Sequence, residues 1–419
     1  MLWSILSQTF ATLRANKLRS FLTMFGVAWG IMSLILMTSL GEGIRVAQER
    51  GLRALGKDIM IVWGGRTSIQ SEGSQAGRVI RLRYSDYEAV RDRADLIASV
   101  SPEIIRGDLT AKTRLNSGVF NIHGGLPDYQ YMRSIEVQWG RLMHGLDDEE
   151  RGTVCIIGSE VNDQLFNGAN SVGEPVVLGG HEFTVIGVMK YKEQNNTYSG
   201  QDRRAIFIPF HTMAKIFSDP ALGESRDLVD DLIAMPVDGE RHQEAERQVR
   251  EIIGARYGFD PTDEDALPIW NTAKQARLMN RLFRSMQWFL GAVALVTLAL
   301  GGIGVVNVML ISVKERTVEI GLRRSIGARR RDIMVQFFSE SFTLTLLSGA
   351  AGLLLGWGLC RAVNLLPMPP EAFAGMIVTP EIGIIAFAAL ALLGLAAGVY
   401  PAFTAAELDP IEALRYEAG

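Results

Sequence analysis

Seven basic residues, Lys314, Arg316, Arg323, Arg324, Arg329, Arg330 and Arg331, crowd between Ser312 and Asp332 of a chain whose formal net charge is only -4. Such a cluster can bind nucleic acid, dock a protein partner, or hold a short connector on the cytoplasmic face of a membrane. No aromatic side chain interleaves it to stack on bases, which speaks against nucleic acid. The remaining candidates for chemistry are sparse. His123, His144, His181, His211 and His242 have no paired metal-ligand spacing, and neither an HExxH nor a GxSxG motif is present, so no metal, cofactor or catalytic residue is assigned. Gly51 to Asp58 (GLRALGKD) nearly matches a phosphate-binding loop, but Asp58 stands where a Ser or Thr would hold magnesium, and its carboxylate would repel phosphate.

The elements around the basic cluster explain its place. Uncharged runs from Ser285 to Val313 and from Ser341 to Cys360 flank it. A bilayer core of about 30 Å needs roughly 20 apolar residues in a helix, and both runs suffice. Ser20 to Gly41 and Ile382 to Ala406 also lack Lys, Arg, Asp and Glu. The chain is therefore expected to be a membrane protein: an α-helical four-span transmembrane domain, with a large α+β extracytoplasmic domain inserted between spans 1 and 2. Lys and Arg gather in short cytoplasmic connections, so the basic loop and both termini are expected inside and the long insertion outside.

The expected divisions are an amphipathic cytoplasmic helix at 1–19, spans at 20–41, 285–313, 333–361 and 381–404, and an external domain at 42–284. The cytoplasmic loop occupies 314–332, a short external loop 362–380, and the cytoplasmic tail 405–419. An external part this long exceeds a typical domain of about 100 to 150 residues and is expected to form two lobes. Within it Asp58 to Trp63, Val119 to Ile122, Thr153 to Ile157, Val176 to Leu178, Phe183 to Met189 and Ala205 to Ile208 read as strands. Ser85 to Arg93, with a Ser cap, Ser159 to Phe166 and Glu240 to Tyr257 read as helices, and one long helix is expected to start near Thr272 and run into the second span. Cys155 and Cys360 are not expected to pair.

Glycines four apart, Gly26 with Gly30, Gly352 with Gly356 and Gly394 with Gly398, admit close helix packing within one protomer or across a dimer, or simply reflect how common Gly is in membrane helices. Glu340 is the ionisable exception in the spans, near the cytoplasmic end of the third, where it can reach either the basic loop or the membrane interface. The loop itself, Lys314 to Ser325 (KERTVEIGLRRS), reads as a short surface helix stopped at Gly327, or as a plain charged connector.

Asn307 to Asp332 (NVMLISVKERTVEIGLRRSIGARRRD) resembles the signature of MacB/FtsX-type ABC transporter permeases. Gly398 to Glu417 and Asn16 to Gly30 resemble that family's closing and opening motifs, and Ile157 to Phe166, Phe183 to Val188 and Ile206 to Pro209 fit its external domain. The resemblance implies a non-catalytic permease subunit of the bacterial cytoplasmic (inner) membrane, a homodimer or a heterodimer with a paralogous permease. A separate ABC ATPase is expected as partner and would bind the ATP and magnesium. A periplasmic adaptor and an outer-membrane channel belong to some such systems. Glu315, Arg316, Glu319, Ile320, Gly321, Arg323, Arg324, Gly327 and Ala328 would form the helix, with its exit turn, that couples ATP hydrolysis to movement of the external domain, with efflux of a small molecule or peptide as the outcome. Release of lipoproteins or control of cell-wall hydrolases are the family's alternatives. A membrane receptor signalling through a partner is the competing class.

Overall fold

Long uncharged runs become helices because an α-helix satisfies every backbone N–H and C=O internally, the condition that a lipid environment imposes. The computed structural model describes residues 17–56, 58–70, 76–194, 197–217, 227–367 and 373–415. The amphipathic helix expected before Lys17 lies outside the described residues, as does the end of the tail after Arg415. Two compact units form, one of Met1–Ala47 with Arg281–Gly419 and the other of Gln48–Asn280. Helix α1 (Lys17–Leu55) opens the described chain. Gly51 to Leu55 continue this helix, which leaves no loop there to cradle a phosphate.

The unit Gln48–Asn280 is a mixed α+β structure. In chain order it holds β1 (Met60–Trp63), α2 (Tyr84–Arg93), β2 (Ile97–Lys112), β3 (Ser117–Gly125), α3 (Pro127–Met132), β4 (Val137–Gly140), α4 (Gly145–Glu149) and β5 (Val154–Ile157). There follow α5 (Ser159–Phe166), β6 (Pro175–Leu178), β7 (His181–Met189), β8 (Ala205–Pro209), α6 (Phe210–Ile216), β9 (Asp231–Pro236), α7 (His242–Tyr257) and β10 (Ile269–Asn271). Where two lobes were expected, the described strands join one ten-stranded sheet, ordered β10-β1-β9-β2-β3-β8-β5-β7-β4, with β6 on β2 and β7. The long β2 makes this possible, since its first half pairs with β9, most of it with β3, and its end with β6. A register shift between Arg106 and Leu109 bends it on the way.

Apolar side chains of this unit gather in a large cluster containing Val100, Phe120, Val161, Phe183 and Ile206, and a smaller one containing Ile61, Tyr129, Ile156, Phe207 and Ile233. Neighbours Ile206 and Phe207 fall in different clusters, as the two-residue period of a strand requires. The Ser cap expected on α2 is not used. The helix begins at Tyr84, and the Asp86 carboxylate accepts the Arg83 N–H at 2.8 Å instead. An Asp in the first turn reaches back to the preceding amide and also suits the positive end of the helix dipole.

The long helix expected from Thr272 is α8 (Thr272–Glu315), 44 residues, about 66 Å at roughly 1.5 Å per residue. It is followed by α9 (Thr317–Ser325), α10 (Arg330–Val363), α11 (Pro380–Glu407) and α12 (Pro410–Arg415). Four of the described helices contain stretches long and apolar enough to cross a membrane, namely Met24–Gly51, Thr272–Glu315, Arg330–Val363 and Pro380–Glu407.

The spaced glycines pack these helices against one another within the chain. A Cβ on Gly26 would come within 3.3 Å of the Gly301 backbone, and one on Gly352 would stand 2.5 Å from the Ala28 carbonyl oxygen. Gly394 and Gly398 receive the rings of Phe342 and Phe338 in the same way. Without a hydrophobic force between helices in lipid, this close approach is what dispersion needs to hold them. Cys155 and Cys360 are both buried and free.

Candidate functional site

The basic loop is a built structure. Helix α8 ends at Glu315, Arg316 makes the turn, and α9 follows as a helix whose sides differ. Thr317, Ile320 and Gly321 are buried, whereas Val318, Leu322 and Ile326, four residues apart, are 47%, 52% and 79% exposed. Positions four apart share one helical face, so these three form an apolar stripe beside the buried one. Gly327 closes the helix at φ 111°, in the left-handed region that glycine enters without a Cβ penalty. There the N–H groups of Gly327 and Ala328 bond to the carbonyls of Arg324 and Arg323 at 3.2 and 3.1 Å, satisfying the last turn.

Three of the seven cations turn inward. Arg316 pairs with the Glu340 carboxylate of α10 at 3.2 Å. Arg323 donates to the Gln336 amide oxygen of α10 at 2.7 Å and pairs with Glu319 one turn back on α9 at 2.5 Å. Arg324 donates to the carbonyl oxygens of Ala406 and Leu408 at the end of α11. Lys314, Arg329, Arg330 and Arg331 remain exposed. Behind α9 lies α12, which approaches so closely that a Cβ on Gly321 would stand 2.7 Å from that of Ala413. Ile411 and Leu414 of α12 are exposed.

The nine residues singled out in the sequence thus fall in one place but do different things. Arg316, Arg323 and Arg324 fasten α9 to its own chain. Ile320, Gly321 and Ala328 pack, Gly327 ends the helix, and Glu315 and Glu319 are exposed. The exposed apolar stripe, with cations around it, can receive a protein surface bearing apolar and acidic groups. Its residues were visible in the sequence only as apolar positions among charges. The four-residue spacing of Val318, Leu322 and Ile326 was the signal that separates them from Ile320.

The unit Gln48–Asn280 holds a second concentration of polar groups, most of them buried, with Lys192 and Tyr198 half-buried at its edge. Glu103 on β2 accepts from His123 Nδ1 and Tyr129 at 2.6 Å each, and from Tyr198. Arg133 pairs with Asp202, whose other oxygen accepts from Lys192 at 2.7 Å. Asp231 on β9 stands directly across from Glu103 in the sheet register, and its oxygens meet no N–H or O–H donor among the described residues.

Burial opposes ionisation of Glu103, but His123 and Arg133 outweigh it and hold the carboxyl below its usual range. At Asp231 burial and the charge of Glu103 act together and raise the carboxyl well above its usual range. For Asp202, burial is outweighed by Arg133 and Lys192, and the carboxyl is lowered. Glu103, His123, Tyr129, Arg133, Asp202 and Asp231 are buried and, Asp231 apart, engage one another or Lys192 and Tyr198, which marks the cluster as structural. Among the described residues no group of three or more His, Cys, Asp and Glu is placed to hold a metal.

Comparison with known proteins bears on both units. The family described as MacB-like periplasmic core domain matches residues 20–252, and the family described as FtsX-like permease C-terminal matches residues 291–410. The chain is 32% identical over 416 residues to the macrolide export ATP-binding/permease protein MacB of Bdellovibrio bacteriovorus, covering 98% of this chain and 61% of that protein. It is 32% identical over 419 residues to the protein of the same name in Chlorobium luteolum, covering 98% and 60%. The chain therefore spans about 60% of the length of these curated relatives. Among solved structures, the periplasmic region of MacB from Actinobacillus actinomycetemcomitans is similar over 55% of this chain and 95% of that one, at 17% identity and a TM-score of 0.42.

Proposed function

The chain belongs to the MacB/FtsX-type family of ABC transporter permeases, a membrane protein with a MacB-like extracytoplasmic domain, and on that premise we propose that it converts ATP hydrolysis into movement of that domain. The ATPase is a partner chain that binds ATP and magnesium and docks on α9. The basic loop and both termini face the cytoplasm, residues 42–284 lie outside between the first and second spans, and the permease acts as a homodimer or with a paralogous permease. Because the curated relatives are named for macrolide export, efflux of a small molecule or peptide is the reading we take, with a periplasmic adaptor and outer-membrane channel as further partners.

The observation that carries this reading is the division of labour on α9. Its arginines are occupied by its own chain, while Val318, Leu322 and Ile326 are left exposed next to Glu315, Glu319 and four exposed cations. A helix held on one side and apolar on the other suits rigid contact with a second protein. Lipid tails satisfy an apolar stripe, but the charges around this one keep it out of the hydrocarbon.

The test is affinity purification of the full chain from its native host in mild detergent, with mass spectrometry and an ATPase assay on the eluate. A stoichiometric ABC ATPase, lost when residues 314–324 are scrambled, is the expected result. Recovery of the intact chain without any ATPase, after crosslinking before lysis as well, would overturn the proposal.

A further inference from the structure

We propose that Glu340 is a positioning residue for the coupling helix: with Gln336 it receives Arg316 and Arg323, so that α9 is held at both ends and follows every movement of α10. This deepens the docking role proposed for α9 and rests on it. Gln336 and Glu340 are four residues apart, one turn along the same face of α10. Arg316 sits at the entrance of α9 and Arg323 near its end, seven positions on. The contacts are Arg316 to Glu340 at 3.2 Å and Arg323 to Gln336 at 2.7 Å.

One such contact would let a short helix pivot about it. Two contacts on successive turns of the same long helix remove that freedom, and Arg324 on the carbonyls of Ala406 and Leu408 ties α9 to the end of α11 as well. Glu340 is only 4% exposed, in a helix that carries no other charge for about the next five turns. A carboxylate is costly to keep in such a place unless a cation meets it, so its presence calls for a specific task. Packing alone would be served by an apolar residue. The ion pair instead fixes the direction in which α9 leaves the turn at Arg316, which sets where Val318, Leu322 and Ile326 point.

Hydrogen exchange of the full-length chain in lipid nanodiscs tests this without any partner. In Glu340→Gln the amides of Arg316 to Ile326 are expected to exchange roughly tenfold faster, while those of the unit Gln48–Asn280 keep their rates. Glu340→Asp, which keeps the charge, is expected to recover most of the protection. Arg316→Gln removes the same pair from the other side, so a Glu340 variant that failed to insert would not close the question. With the copurified ATPase present, Glu340→Gln is expected to leave the KM for ATP unchanged and to lower the stimulation of hydrolysis by the permease. Wild-type exchange across Arg316 to Ile326 in both Glu340→Gln and Arg316→Gln would overturn the positioning role, whether or not an ATPase is found. Absence of an ATPase with faster exchange in these variants would sustain the positioning of α9 and remove the transport reading alone.

Discussion

Gly321 of α9 and Ala413 of α12 touch so closely that a Cβ added to the glycine would lie 2.7 Å from the alanine Cβ, where carbon atoms ordinarily stay about 3.5 to 4.0 Å apart. The contact joins the loop helix to the last described helix of the chain, across most of a hundred residues of sequence. Gly321→Ala should therefore push α12 away. Overpacking of this kind costs about 1 to 3 kcal/mol, which corresponds to roughly 5- to 150-fold faster amide exchange in Pro410–Arg415 if the helix opens locally. Adding Ala413→Gly to the same chain should restore protection, and a single variant that exchanged like wild type would show that α12 is not held there.

The exposed stripe makes a second prediction. Leu322→Asp places a charge where an apolar partner surface is expected, yet Leu322 is already half exposed, so folding should change little. Loss of a central apolar contact at an interface removes about 2 kcal/mol or more, or roughly thirty-fold in affinity. Recovery of ATPase from the purification should fall accordingly, with insertion into the membrane unchanged. Equal recovery from Leu322→Asp and wild type would move the docking surface elsewhere. Glu319→Lys makes a useful companion: it replaces an exposed pair with Arg323 by a like-charge contact and removes the acidic residue of the first turn, which should cost the helix about 1 kcal/mol.

Much of the membrane part was legible because its signals are local. Apolar runs and Gly327 as a stop each lie within a few residues of what they determine. For Glu340 the sequence left two places, the basic loop and the interface, because an ionisable group in a span has few others, and the contact with Arg316 decides between them. The external unit was harder for the opposite reason. Strand β2 carries Pro102, Gly107 and several charges, and the register shift between Arg106 and Leu109 breaks its alternation. Its identity as a strand is fixed by β9, β3 and β6, which lie far away in sequence. Gln336 and Ala413 were illegible for the same reason. Neither residue type is unusual where it stands, and only the folded chain brings them to Arg323 and Gly321.

Helix packing among the spans gives a third prediction. The atom that a Cβ on Gly352 would meet is the Ala28 carbonyl oxygen at 2.5 Å, part of the backbone and unable to swing aside. Gly352→Ala should separate α10 from α1 and destabilise the bundle by about 1 to 3 kcal/mol, whereas Gly358→Ala, where a Cβ would meet nothing within 4 Å, should be close to neutral or slightly stabilising. Thermal unfolding in detergent monitored by Cys360 accessibility compares the two. If both glycines tolerated alanine alike, the close approach of α10 to α1 would not hold in solution.

The carboxyl pair in the sheet predicts an unusual pH dependence. Asp231 is raised by burial and by Glu103 opposite it, with Asp230, Tyr198 and Arg133 also acting on it and Tyr129 and His123 bound to Glu103 beyond. A raised carboxyl contributes stability that is complete below its unfolded value, near 3.8, and is lost as pH rises from there toward its folded value. Glu103 and Asp202 are lowered and behave oppositely, keeping their contribution above their unfolded values and losing it as pH falls from there through their folded ones. Asp231→Asn removes only the first effect. The amide keeps a donor for Glu103 and cannot ionise, so the variant should gain unfolding temperature relative to wild type as pH rises from about 5 to 8. Asp202→Asn should do the reverse. It leaves the buried Arg133 without its carboxylate and should cost about 3 to 5 kcal/mol at neutral pH, a loss that shrinks as pH falls below about 3.8, where Asp202 of the unfolded wild-type chain takes up a proton that the folded protein does not. Unfolding midpoints of the full chain across that range, with exchange rates of β2 and β9 to localise the change, decide the matter. Parallel curves for wild type and Asp231→Asn would mean that Asp231 is ionised in the folded protein, and that some cation other than those around Glu103 must then face it.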